Sequence, residues 1–219
     1  TEYADIFFQR YNAAGIAQGS ETRANPAGEG TVRQSEPQIV GLTGGGFVTV
    51  WTDDSKDGSS YGVYGQRFNA NGSVNGASFL VNSYTTGAQY EPDIAKLSDG
   101  GFIVVWRSDG QDGSSAAVYG QRFNAAGAKV GAEFLVNETT NGGQYQPTVT
   151  GLSTGGFVVS FYNDNYDLTG TGSYGDVYIR EYDASGNAID GQRKLESPGN
   201  FYDQQSQPAM ADLGQGNFV

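Results

Sequence analysis

The stretch Gly100-Gly101-Phe102-Ile103-Val104-Val105-Trp106 decides the fold, because it occurs more than once. It reads as Gly45-Gly46-Phe47-Val48-Thr49-Val50-Trp51 earlier in the chain and as Gly155-Gly156-Phe157-Val158-Val159-Ser160-Phe161 later. Its beginning returns as Gly216-Asn217-Phe218-Val219. Phe47, Phe102 and Phe157 are 55 residues apart, and the last step, to Phe218, is 61. Pro37, Pro92, Pro147 and Pro208 follow the same steps, each preceded by Glu or Gln, as in Gln89-Tyr90-Glu91-Pro92-Asp93-Ile94. Val63-Tyr64-Gly65-Gln66-Arg67-Phe68-Asn69 matches Val118-Tyr119-Gly120-Gln121-Arg122-Phe123-Asn124, with looser copies at 6–12 and 177–183. Self-similarity at this period marks a repeat architecture of four units.

Each unit reads as four strands. Strand A follows the proline, strand B is the Gly-Gly-Phe run, strand C the Tyr-Gly-Gln-Arg-Phe run, and strand D the run Phe79-Leu80-Val81 or Phe134-Leu135-Val136. Between C and D stand Asn69-Ala70-Asn71-Gly72, Asn124-Ala125-Ala126-Gly127 and Asp183-Ala184-Ser185-Gly186, which is turn chemistry. Strand B is apolar on both faces, with Phe102, Val104 and Trp106 on one and Ile103 and Val105 on the other. An antiparallel sheet with one wet face would alternate instead. Sheets stacked face to face around an axis need both faces dry, so the expected fold is all-β, a β-propeller of four four-stranded blades. The chain opens with C and D strands and ends with A and the start of B, so the terminal strands are expected to share one blade and close the ring. The whole chain, 1–219, then forms one repeat domain, with units near 1–50, 51–105, 106–160 and 161–219.

Composition narrows the chemistry. The 219 residues carry 24 acidic and 12 basic side chains, a net charge of −12, with a pI near 4.2. Such a surface excludes nucleic acid as a partner and favours cations. There is no Cys and no His, which removes disulfides, thiolate and imidazole metal sites, and His-dependent hydrolytic triads. Gly at 34 residues, with 14 Tyr and 12 Phe, suits short strands and tight turns. No apolar run approaches the ~20 residues of a membrane span, so no membrane insertion is expected. The first residues carry no signal-peptide pattern and enter a strand almost at once, as expected of a piece of a larger polypeptide.

The most informative polar feature is the B–C connection. Asp54-Ser55-Lys56-Asp57-Gly58 lines up with Asp109-Gly110-Gln111-Asp112-Gly113 and with Asp164-Asn165-Tyr166-Asp167-Leu168. Short loops of Asp, Asn, Gly and Ser offer carboxylates and carbonyls to a hard cation. Asp54, Asp57, Asp109, Asp112, Asp164 and Asp167 are therefore candidate calcium ligands, although no loop has the full EF-hand pattern. The same residues also make ordinary Asx turns without a metal. Strand direction alternates, so the B–C and D–A loops open on one face. That face gathers Tyr84, Tyr90, Glu91, Tyr145 and Tyr202, where rings and carboxylates could hold a glycan. Gln34, Gln89, Gln144 and Gln205 recur in every copy, which suits a structural duty better than a unique site.

The runs Gly101-Phe102-Ile103-Val104-Val105-Trp106, Asp109-Gly110-Gln111-Asp112-Gly113-Ser114, Val118-Tyr119-Gly120-Gln121-Arg122-Phe123 and Phe134-Leu135-Val136-Asn137 resemble the tandem repeats of large RTX-type calcium-binding adhesins and exoproteins of Gram-negative bacteria. The resemblance touches all four repeats and is strongest over residues 36–137. It implies a secreted or cell-surface location, calcium as the ion, and a propeller-like module in adhesion or matrix assembly; a surface protein or glycan, or a second copy by self-association, is the partner expected of such a module. It implies no catalytic residue, and the Gly-Gly-x-Gly-x-Asp calcium roll of such proteins is absent. Because the aspartates are spread over near-equivalent loops while catalytic sites are asymmetric, a non-enzymatic binding module is the expected function. A lectin is the alternative, and a carbohydrate-active enzyme using paired carboxylates stands behind it.

Overall fold

The computed structural model describes residues 4–26, 33–54, 56–164, 175–195 and 206–219. Within them every regular element is a strand, and no helix is present to cross a membrane. Three four-stranded antiparallel sheets follow one another, each in simple sequential order. The first blade is β3 (Gln34–Gly41), β4 (Phe47–Asp54), β5 (Tyr61–Phe68) and β6 (Phe79–Leu80). The second is β7 (Gln89–Lys96), β8 (Phe102–Asp109), β9 (Ala116–Phe123) and β10 (Lys129–Leu135). The third is β11 (Gln144–Gly151), β12 (Phe157–Asn163), β13 (Asp176–Tyr182) and β14 (Arg193–Lys194). The A-to-D order expected from the repeat is thus the order of each blade.

The two faces of strand B are buried against different neighbours. Phe102, Val104 and Trp106 of β8 pack with Val48, Val50 and Val63 of the first blade. Ile103 and Val105, on the other face, pack with Val149, Phe157 and Phe161 of the third. A ring pair recurs inside each blade: Phe47–Phe68, Phe102–Phe123 and Phe157–Tyr182 all stack, with centroids 5.0, 4.8 and 4.6 Å apart. Phe102 and Phe157, the most deeply buried members of these pairs, each contribute roughly 1.5–3 kcal/mol of apolar burial.

Polar contacts carry the repeat across blade boundaries. Arg10 donates to the Ala70 carbonyl at 2.9 Å, Arg67 to Ala125 and Ala126 at 2.8 and 2.5 Å, and Arg122 to Ala184 at 2.9 Å and to Ser185. Arg10, Arg67 and Arg122 therefore each hold the C–D turn of the following unit, whereas Arg180 of β13 donates to the Val136 carbonyl at 2.6 Å. Gln34, Gln89 and Gln144 are buried, and the Asn25 and Asn82 amides donate to the first two at 3.2 Å. The structural duty expected of these glutamines is what they perform; Gln205 lies outside the described residues.

Closure departs from expectation. β1 (Phe7–Phe8) pairs with β2 (Thr22–Arg23), and β15 (Asp212–Gly214) with β16 (Asn217–Phe218), as two separate two-stranded sheets. The expected shared blade is not formed among the described residues. The inner face left uncovered shows this directly: Ile39 is 57% exposed, whereas its repeat counterparts Ile94 and Val149 are 7% and 6% exposed. Leu213 is 65% exposed against 4% and 7% for Leu97 and Leu152.

Candidate functional site

The strand-A bulge builds the site. Register shifts between Ser35 and Gln38, Tyr90 and Asp93, and Tyr145 and Thr148, so each Glu/Gln-Pro pair sits in a bulge. At the bulge Glu36, Glu91, Gln146 and Gln207 all take the left-handed conformation, with φ of 55°, 54°, 52° and 56°. Non-glycine residues are strained there by about 1–3 kcal/mol, and bulges re-aim side chains. These four turn towards one another. The Glu91 N–H donates to the Glu36 carboxylate at 2.9 Å, the Gln146 N–H to Glu91 at 2.9 Å, and the Gln207 N–H to the Gln146 side-chain oxygen at 2.8 Å. A chain of hydrogen bonds thus passes from repeat to repeat around an axis.

Inside it lies a cavity of about 560 Å³, lined by those four residues together with Asp93 and Thr148 among others. Residues from all four repeats meet there. Asp93 is the group with the altered chemistry: burial pushes its carboxyl above the usual carboxylate range, against hydrogen bonds from the Val149 and Ile94 backbone. The Val149 N–H reaches its Oδ2 at 2.8 Å. A buried carboxyl with a raised pKa beside other carboxylates is the arrangement that suits it to the acid role of a pair.

Beside the cavity the loop face holds a second cluster centred on Arg107. Its guanidinium lies 4.5 Å from the Tyr90 ring centre and 4.3 Å from that of Tyr145. It pairs with Asp109 at 3.0 Å and with Glu91 at 3.6 Å. The Tyr90 hydroxyl donates to Asp109 Oδ2 at 3.1 Å, and burial is the largest cause raising the pKa of both tyrosines. Tyr90, Glu91, Tyr145 and Asp109, singled out in the sequence, are therefore brought together. Asp164 joins them at the edge, accepting a hydrogen bond from the Gly143 N–H.

The other candidates lie apart. Tyr84 is held by its backbone: Glu133 accepts from the Ser83 and Tyr84 N–H groups at 2.5 and 3.1 Å and from Gln111 at 2.7 Å. Asp57 and Asp112 cap their own turns, accepting from the Ser59 and Ser114 N–H at 3.1 and 3.0 Å. Asp54 ends β4, opposite Tyr61. Asp167 and Tyr202 lie outside the described residues. Among the described residues no three carboxylates converge to hold a metal.

Arg107, Glu36, Asp93, Gln146 and Gln207 were missed as site residues by the sequence reading. The signal for three of them was present in the Glu or Gln before each repeated proline. Arg107 had none, since Thr52 and Tyr162 occupy its repeat position.

No protein-family model and no curated protein sequence matches the chain. Solved structures do. An α-L-arabinanase from Penicillium chrysogenum, complexed with arabinobiose, superposes with a TM-score of 0.58 at 14% identity, over 97% of this chain and 60% of that one. An α-L-arabinofuranosidase from Lactobacillus brevis gives 0.52 at 9% identity, over 83% and 68%. The Hadza microbial sialidase Hz136 gives 0.52 at 9%, over 71% and 36%. The chain thus spans less than two thirds of the sialidase and of the arabinanase. At such identities the likeness shows the fold: the sheets are β-propeller blades.

One expectation is corrected here. The spread of the aspartates over near-equivalent loops led to the expectation of a non-enzymatic module, yet the three structures above are glycoside hydrolases. Repetition of a loop says nothing against catalysis when the asymmetry lies elsewhere. In this chain it lies at the axis, where the repeats differ as Glu36, Glu91, Gln146 and Gln207, and where Asp93 faces Gln38 and Thr148.

Proposed function

We propose that this protein is a carbohydrate-active β-propeller whose axial cavity receives a glycan and cleaves a glycosidic bond. The observation that carries the reading is the meeting of Glu36, Glu91 and Asp93 in one cavity of about 560 Å³, with burial holding the Asp93 carboxyl towards its neutral form. The likeness to propeller glycoside hydrolases supports it. In this mechanism Asp93 gives its proton to the leaving oxygen as the C–O bond breaks. Glu36 or Glu91 acts as the base that takes a proton from a water, whose oxygen bonds to the anomeric carbon as the leaving sugar departs as an alcohol. Tyr90 and Tyr145 with Arg107 form the rim on which the glycan approaches.

The test is turnover of arabinan, arabino-oligosaccharides and a panel of other polysaccharides. Asp93→Asn should lower the rate by about 10²–10⁴-fold while the protein stays folded. Absence of turnover across the panel, or turnover indifferent to Asp93→Asn, would overturn the reading.

Two further proposals accompany it. Ring closure, within a chain or with adjoining repeats, is supported by the exposed Ile39, Leu213 and Val219, whose counterparts in other repeats are mostly buried. Calcium at the B–C loops, with a secreted or surface location, rests on the repeated aspartates and the RTX resemblance. Asp57 Oδ2 and Asp112 Oδ2 are buried without a hydrogen-bond donor, which supports a cation there.

A further inference from the structure

Repeat symmetry exposes a second pocket by contrast. Ser35, Tyr90 and Tyr145 occupy one repeat position; Thr52, Arg107 and Tyr162 occupy another. Between the second and third blades, the Arg107 guanidinium fills the space between the Tyr90 and Tyr145 rings, at 4.5 and 4.3 Å, and donates to Asp109 at 3.0 Å. Between the first and second blades the corresponding side chains are the small Ser35 and Thr52. A cavity of about 420 Å³ opens there, lined by Glu36, Thr52, Tyr61, Tyr90 and Asp109, with Arg33 at its edge. Tyr61 meets Tyr90 edge to face, 6.2 Å between centres, and forms an aromatic wall. Glu36 also lines the axial cavity, so the two spaces share a wall.

We propose that this inter-blade cavity is a sugar subsite, adjoining the axial one, for a neutral residue of the glycan chain. The proposal rests on the carbohydrate-active reading above and names its substrate class. The reason comes from what fills the equivalent space one blade on. Arg107 presents a flat face to tyrosine rings and N–H donors to carboxylates. A sugar ring has the same two properties, an apolar C–H face and hydroxyl donors around its edge. Glu36 and Asp109 line the cavity as acceptors with further lone pairs for hydroxyls, beside the donors they already hold: Thr52 and the Glu91 N–H on Glu36, Arg107 and the Tyr90 hydroxyl on Asp109. Thr52 already donates to Glu36 at 2.7 Å, in place of the Arg107–Glu91 pair. Two carboxylates facing the cavity, with Glu91 in the adjoining one, repel an acidic sugar. Arg33 is the single cation of the lining and serves as a donor to hydroxyls.

The experiment is calorimetric titration of the full chain with neutral arabino- and gluco-oligosaccharides of increasing length, with sialyllactose and with N-acetyl-arginine amide. Neutral oligosaccharides should bind, and sialyllactose should bind at least about tenfold more weakly. Thr52→Arg, which restores the arginine of the next blade, should weaken binding by about tenfold or more, the value of a lost stacking site. Ser35→Tyr is the second filling variant, placed on a half-buried position should the buried Thr52→Arg disturb folding. If neutral glycans are bound or cleaved equally by wild type and both folded variants, this pocket assignment falls while the axial reading stands. If no glycan is bound or cleaved, both fall. Preferential binding of N-acetyl-arginine amide would overturn the sugar assignment in favour of a peptide arginine.

Discussion

Arg67 lies directly over Gly127, so that a Cβ added at Gly127 would stand 2.6 Å from the arginine Cδ. The two residues belong to neighbouring blades, and Arg67 Nη1 donates to the carbonyl just before the glycine, that of Ala126, at 2.5 Å. Gly72 under Arg10 and Gly186 under Arg122 repeat the relationship. The glycine serves both the positive φ of the turn and the close passage of the arginine.

Gly127→Ala should therefore destabilise the protein by about 1–3 kcal/mol, combining a strained φ with displacement of the clamp. Gly15→Ala gives the contrast, because its turn has φ of 76° and no atom within 4 Å of the added Cβ. It should cost only the backbone strain. Chemical denaturation of both variants checks this, and equal losses would mean the arginine contact adds nothing.

At the axis, Glu36→Gln should be tolerated within about 0.5 kcal/mol, since an amide oxygen accepts the Glu91 N–H as Gln146 accepts that of Gln207. Glu36→Ala leaves that N–H and the Thr52 hydroxyl without their acceptor and should lose about 1–3 kcal/mol. Similar stabilities for the two variants would show that the axial hydrogen-bond chain does not hold the blades.

Asp93 sets a pH dependence whose sign can be worked out. Its folded pKa lies above the ordinary aspartate value of 3.8, so between the two values the native state holds more proton than the unfolded one. The stability it contributes is complete below the unfolded pKa and is lost as pH rises through the folded pKa. Replacing it with Asn should flatten this part of the stability–pH curve and leave the variant relatively more stable near neutrality. Parallel melts of the two proteins from acid to neutral pH read the difference; identical curves would contradict a buried, upshifted Asp93.

Calcium should raise the melting temperature and bind saturably in calorimetry, with both effects lost in Asp109→Asn/Asp112→Asn. Asp109 already holds Arg107, so this variant should also lower stability without calcium by about 1–3 kcal/mol. A destabilisation with no calcium response in either protein would leave these aspartates as partners of Arg107, the Tyr90 hydroxyl and the Ser114 N–H.

The sequence by itself determined the repeat, the four-strand unit, the doubly buried strand B and the structural use of the glutamines. These are written locally: a hairpin depends on its own turn residues, and Phe102-Ile103-Val104-Val105-Trp106 shows both apolar faces within five residues. Only the tertiary structure decided the site. Glu36, Glu91, Gln146 and Gln207 lie in separate repeats, and they meet because each bulge turns its residue inward and each blade rotates onto the next. Arg107 between Tyr90 and Tyr145, and the open counterpart beside Thr52, depend on that same rotation. So does the separation of the terminal half-blades, since strand count says which strands are available and the packing of whole blades says which of them pair.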